Sequence, residues 1–93
     1  MKVFFNSAQP RELGLEYAAI GINVNAICPG FYRTNLGGGS DDPDSVQAVR
    51  EFVPMGKMAE PEDLKGTAIY LASEASDYMC GQMIVTDGGT VAK

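Results

Sequence analysis

Histidine and tryptophan are absent from this 93-residue chain, and only two cysteines occur, Cys28 and Cys80. Without histidine, neither a Cys₂His₂ zinc site nor a Ser-His-Asp or Cys-His nucleophile can be assembled, and the two cysteines lack C-x-x-C spacing. Isolated cysteines of this kind fit a reducing compartment. Basic residues are also scarce: Lys plus Arg number 7 against 12 Asp plus Glu, for a net charge of −5. No basic run is present to neutralise phosphates along a duplex, so nucleic acid is not an expected partner. Long apolar runs are missing as well. The opening "MKVFFNSAQPRE" is too short in its apolar part for a secretory signal, and no stretch reaches membrane-spanning length. These features predict a soluble, cytoplasmic protein with no membrane partner.

What is present is ordinary globular composition, 45% apolar and 20% charged residues, which favours folding over disorder. A chain of this length has room for one domain and buries only about 60–65% of its unfolded surface. Ser7 or Asn6 can cap a helix running to about Ala19, with Pro10 tolerated in its first turn and Gly21 ending it. "INVNAI", Ile22 to Ile27, reads as a strand stopped by Pro29 and Gly30. "GGGS" at Gly37 to Ser40 is a hinge. Asp42 followed by Pro43 is a helix start, and Val46, Val49 and Val53 give that helix one apolar face. "AEPEDL" opens a further helix, with Pro61 just inside it, Glu62 and Asp63 in the first turn, and Leu64, Ala68, Leu71 and Ala75 on one face. "QMIVT", Gln82 to Thr86, reads as a strand buried on both faces.

The order helix, strand, lid helix, helix, strand predicts an α/β fold in which helical crossovers join parallel strands. Two parallel strands are too few to stand alone, so residues 1–93 are expected to form a single incomplete domain.

Three segments, "RELGLEYAAIGINVNAICPGFYRT", "PMGKMAEPEDLKGTAIYLASEASDYMCGQ" and "VTDGG", resemble in order and spacing the C-terminal part of a short-chain dehydrogenase/reductase. Together they cover nearly all of Arg11 to Gly89. The resemblance implies the C-terminal portion of a Rossmann-like, doubly wound parallel sheet, with NAD or NADP as cofactor. The Pro-Gly turn would lie at the C-terminal edge of the sheet, beside the nicotinamide ring. Pro29 and Gly30 would bend the chain around that ring. Tyr32 through its backbone and Thr34 through its hydroxyl would hold the carboxamide and so fix which face of the ring is presented. The plain alternative is that Thr34 caps a local turn and Pro-Gly merely ends a strand. Residues 37–53 would form the substrate lid. Its acidic "SDDPD" reads as a solvated helix cap, and no metal site is expected. Phe31, Tyr32 and Met55 either line the pocket or belong to the core.

The departures from the family pattern bear on activity. No G-x-x-x-G-x-G or G-x-G-x-x-G occurs, so the dinucleotide fingerprint is missing. Counting back from "RELGLEYA", the family's catalytic Lys falls at position 3, where Val3 stands, and its Tyr would precede Met1. Lys2 is one residue out of register, and a helix turns about 100° per residue. None of Tyr17, Tyr32, Tyr70 or Tyr78 is followed by Lys four residues later. No catalytic residue is therefore assigned, and the chain alone is expected to be inactive.

The reading is of a segment of an NAD(P)-dependent oxidoreductase that interconverts a hydroxyl and a carbonyl on a small molecule such as a sugar or polyol. It would supply nicotinamide orientation, lid and subunit contacts in a homo-oligomer. The competing reading is a non-catalytic interaction fragment, with Leu71, Met83 and Val85 near a hydrophobic interface. A cysteine enzyme using Cys28 lacks a base.

Overall fold

The run Lys2–Phe5 forms a strand, β1, at a place where the sequence reading gave no element. Val3, Phe4 and Phe5 are strand formers, but four residues carry too weak a local signal. The pairing with a neighbour decides the conformation. The computed structural model describes residues 1–5, 10–33 and 42–92. Within them the order is β1, α1 (Pro10–Ala18), β2 (Asn23–Pro29), α2 (Pro43–Phe52), α3 (Glu62–Ala72) and β3 (Met83–Thr86), with 3-10 turns at Glu74–Ser76 and Thr90–Ala92. The strands make one parallel sheet in the order β1-β2-β3. β1 pairs with β2 in the register Lys2↔Asn23 to Phe5↔Ala26. The two-strand expectation is thus corrected to three, with a helical connection behind each parallel pair.

The strand β1 removes the helical-rotation argument applied to Lys2. Lys2 and Val3 both lie in it, so helical spacing counted back from α1 does not extend to them.

The chain divides into two compact units, Met1–Cys28 with Lys65–Val85, and Pro29–Leu64 with Thr86–Lys93. In the first unit, β2 is the buried centre: Val24, Asn25, Ala26 and Ile27 are all buried. Asn25 is only 2% exposed, and a buried amide requires partners. Its Nδ2 donates to the Met79 carbonyl at 3.1 Å and its Oδ1 accepts from the Gln82 N–H at 3.1 Å. Asn23 Nδ2 donates to the carbonyls of Asp77 and Met79, both at 2.9 Å. Backbone bonds from Gly81 N to Val24 O (2.7 Å) and from Ala26 N to Gln82 O (2.9 Å) complete the attachment of the segment that leads into β3.

α1 begins at Pro10, where the missing donor costs nothing. The proposed caps Ser7 and Asn6 lie outside the described residues. The helix ends as expected at Gly21, whose φ of 82° favours glycine. Gly21 N–H bonds to Ala18 O and Ile22 N–H to Tyr17 O, the paired bonds of a Schellman motif. Gly14 faces the loop before β3: a Cβ there would lie 2.5 Å from Gly81 Cα.

α3 is shorter than its apolar pattern suggested. Ser73 interrupts it, its Oγ donating to Tyr70 O and accepting from Ala75 N–H, so Ala75 falls in the following 3-10 turn and is exposed. Leu71 is 1% exposed, packed inside the chain and unavailable as an interface residue. Met83 and Val85 are exposed and alternate with half-buried Ile84 and Thr86. β3 is therefore covered on one face only, because an all-apolar strand reports what its residues tolerate and not what covers them. Ser76 is buried and Lys2 Nζ reaches its Oγ at 3.3 Å and Asp77 Oδ1 at 2.8 Å, tying β1 to the end of the second crossover. Among the described residues, no helix is long and apolar enough to cross a membrane.

The contact at Gly14 gives a sign test. Replacing a mid-helix glycine by alanine ordinarily stabilises by about 1 kcal/mol, but here the methyl group meets backbone and the overpacking cost of about 1–3 kcal/mol outweighs it. Gly14→Ala is expected to lower the urea midpoint, by a net loss of up to about 2 kcal/mol; a raised midpoint would show that the helix and loop are not in contact.

Candidate functional site

The exit from β2 holds the residues singled out in the sequence. Pro29 is the last residue of the strand, one position inside it and not beyond it. This is admissible because a proline at a strand end forgoes a single ladder bond. The ladder resumes at Gly30, whose N–H donates to Thr86 O at 3.0 Å. A Cβ on Gly30 would stand 2.7 Å from Asp87 Cβ and 2.9 Å from Asp87 Cα. Glycine is required there by close approach of two segments of the chain, not by its own dihedral angles.

Beyond Gly30 the chain is stitched to the segment before α3. Ala59 N–H donates to Phe31 O at 2.9 Å and Arg33 N–H donates to Ala59 O at 2.7 Å, which makes Tyr32↔Ala59 a parallel bridge. In this pattern Ala59 takes its bonds from the residues on either side of Tyr32. Tyr32's own N–H and C=O therefore face away from Ala59, and no bond to either is present among the described residues. Arg33 Nε lies 3.1 Å from Glu60 Oε1, a second tie between the same segments. Glu60 N–H in turn donates to Asp63 Oδ2 at 2.8 Å, half of a capping box that starts α3. Thr34 lies outside the described residues.

The C-terminal turn "DGG" closes the same unit. Asp87 accepts from Gly89 N–H and Val91 N–H, both at 3.0 Å, and so caps the Thr90–Ala92 turn. Gly88, at φ 65°, leaves no room for a side chain: a Cβ would meet Val53 Cγ1 at 2.7 Å. Met55 N–H bonds to Gly88 O at 3.1 Å. The sequence singled out "VTDGG" as a motif, but nothing in it signalled that Asp87 would be the surface against which Gly30 packs. The bridge at Ala59 carried no local signal either.

Of the segment expected as a lid, 37–53, residues 37–41 lie outside the described residues. The rest is α2 with its predicted cap: Asp42 Oδ2 accepts from Ser45 N–H at 3.2 Å and Ser45 Oγ at 3.0 Å, and Pro43 is the first helical residue. Val46 and Val49 are half-buried and Val53 is buried, so the expected apolar face is present. Phe52 packs edge-to-face on Phe31 with ring centroids 6.0 Å apart. Phe31 is 44% and Met55 71% exposed and Tyr32 is half-buried, so none of the three belongs to the fully buried core.

A three-stranded parallel sheet with helical connections, ending on a glycine-dependent turn, defines an α/β protein of Rossmann-like type. The comparisons agree. A family model described as enoyl-(acyl carrier protein) reductase matches residues 7–91, and the chain belongs to the short-chain dehydrogenase/reductase family. It is 43% identical over 84 residues to 2-dehydro-3-deoxy-D-gluconate 5-dehydrogenase of Dickeya dadantii, covering 89% of this chain and 33% of that protein. A short-chain type dehydrogenase/reductase from Mycobacterium marinum superposes with a TM-score of 0.78 at 38% identity, over 90% of this chain and 32% of the other. A gluconate 5-dehydrogenase from Burkholderia cenocepacia, in complex with NADP and tartrate, gives a TM-score of 0.83 at 32% identity, over 90% and 33%. The chain spans about a third of the length of the curated relatives it matches. NAD or NADP is the cofactor of this family.

The Gly30 contact predicts a local effect. Gly30→Ala is expected to destabilise the protein by about 1–3 kcal/mol, the usual cost of overpacking against fixed backbone, and to shift the amide resonances of Asp87, Gly89 and Val91. Unchanged stability and unmoved resonances would show that the approach of Gly30 to Asp87 is not tight.

Proposed function

We propose that this chain supplies the nicotinamide-orienting end, the substrate lid and a subunit contact of an NAD(P)-dependent oxidoreductase. The reaction is interconversion of a hydroxyl and a carbonyl on a small substrate, a sugar, sugar acid or polyol. The observation that carries the reading is the pair of main-chain groups on Tyr32 turned away from Ala59. A carboxamide offers one acceptor oxygen and an NH₂ donor, and one peptide N–H with one C=O answers both. Pro29 and Gly30 bring the chain to that point, and the Thr34 hydroxyl adds a further hydrogen bond to the same group. When bound, the cofactor carries the hydride; the protein fixes which face of the ring is offered.

The donor set fits the group, and each residue has a bounded task. Tyr32 binds and orients through backbone, so its ring can vary. Residues 37–53 cover the substrate and exclude water. Proton transfer is assigned to no residue here, since no Tyr is followed by Lys four positions on. The substrate class is supported by the names of the relatives, a gluconate 5-dehydrogenase among them. A homo-oligomer is supported by exposed Ile69, Met83 and Val85, and a cytoplasmic setting by the two free cysteines. The same exposed residues favour a second reading, a non-catalytic interaction fragment.

A chimaera in which the first two thirds of a relative precede residues 10–93 tests the first reading. It is expected to turn over with NAD or NADP, and Thr34→Val in it to lose about tenfold in kcat/KM for the cofactor, the worth of one hydrogen bond. An active chimaera with unchanged kinetics on Thr34→Val would refute the assignment, and an inactive but folded one would favour the interaction fragment.

A further inference from the structure

The ring pair Phe31–Phe52 is not explained by burial. Phe52 remains 51% exposed and Phe31 44%, so each ring leaves about half of its surface in water while meeting the other at an interplanar angle of 87°. Edge-to-face contact places the positive rim of one ring on the negative face of the other, an attraction beyond simple area burial. The position of the pair is its chief feature. Phe52 is the last residue of α2, followed by buried Val53. Phe31 immediately precedes Tyr32, and its carbonyl accepts the Ala59 N–H.

We infer that Phe52 is a positioning residue for the Tyr32 backbone, joining the end of the lid helix to the main-chain groups that take the nicotinamide carboxamide. The inference rests on the reading of Tyr32 given above. Tyr32 is held on one side by the Ala59 bridge. Its predecessor is held on the other by the Phe52 ring. A displacement of α2 at its C-terminal end therefore pulls on Phe31 and changes the aim of the Tyr32 peptide groups. In the reverse direction, a ligand that fixes Tyr32 fixes Phe31 and makes Phe52 the anchored end of the lid. Coupling of this kind is reciprocal, because both states of the ring contact are shared by the two sites. It gives substrate-side and cofactor-side elements a common reference without any direct contact between the two ligands.

Amide hydrogen exchange on the 93-residue protein without cofactor tests the link. Phe52→Leu keeps the bulk but removes the ring. It is expected to speed exchange at Ala59 and Arg33, the two amides that bracket Tyr32, by about three- to tenfold, the range that such an aromatic pair supports. Phe52→Tyr keeps the ring edge and is expected to restore the native rates. A residue that served only α2 would alter exchange within Val46–Phe52 and leave Ala59 and Arg33 unchanged, and that result would overturn the proposal. Should Phe52→Leu fail to fold, Phe31→Leu carries the test from the other side: faster exchange across Val46–Phe52 supports the link, and native rates there contradict it. Because no cofactor is used, a failure here leaves the assignment of Tyr32 standing, while a failure of Tyr32 to respond to cofactor leaves the ring link intact but without that ligand.

Discussion

Asn25 is the constraint on which the sheet depends. Its amide is buried in the middle of the central strand, where an unpaired polar group would cost about 1–3 kcal/mol. The amide is satisfied only if Met79 and Gln82 sit where they do. A purely apolar strand could slip by two residues and still bury a good face. With Asn25 bonded to the segment that enters β3, a slip strands a donor and an acceptor together. Asn23 repeats the attachment two residues earlier. The two side chains thus do for register what β-branched neighbours cannot, and the ladder of β2 and β3 runs from there to its last bond at Gly30.

At that end of the ladder, the proposed function rests on which main-chain groups face away from the bridge at Ala59. Gly30 lets the chain pass against Asp87, and the Ala59 bridge takes up the carbonyl of Phe31 and the N–H of Arg33. The peptide groups of Tyr32 face away from that bridge, and among the described residues neither is bonded. A binding element made of main chain is insensitive to the side chain at that position, which suits a family whose members act on many substrates with one cofactor type. Of the side chains around it, Met55 is largely exposed, while Phe31 and Phe52 are half-exposed and held by each other. On the proposed reading this portion of the fold contributes orientation, which in hydride transfer is a large share of what protein must add.

Local chemistry was legible in the sequence and long-range placement was not. Asp42-Pro43 and Glu60-Pro61 announce helix starts because a cap is made by residues within one turn. Gly21 announces an end for the same reason. The strand at Lys2–Phe5 was missed because its stability comes from β2 and not from its own four residues. Leu71, Met83 and Val85 all read alike as interface residues, yet Leu71 is buried and the other two are exposed, since apolarity says that a residue can be buried without saying by what. Asn25 did carry a signal: a second Asn two positions after the first, inside an otherwise apolar strand, is a polar group in search of a partner. The Pro-Gly turn was legible as a motif. The reason for its glycine, the approach of Asp87, and the bridge from Tyr32 to Ala59 join segments far apart in the chain, and only the folded structure brings them together.

The most direct measurement is a titration of the isotopically labelled 93-residue protein with NADH at millimolar concentration, followed by amide resonances, after circular dichroism and light scattering have shown it folded and unaggregated. Saturable shifts concentrated at Gly30, Phe31, Tyr32 and Arg33 are the predicted result. A folded protein whose shifts are absent, or fall mainly on residues remote from the end of β2, would contradict the assignment of this turn to the nicotinamide.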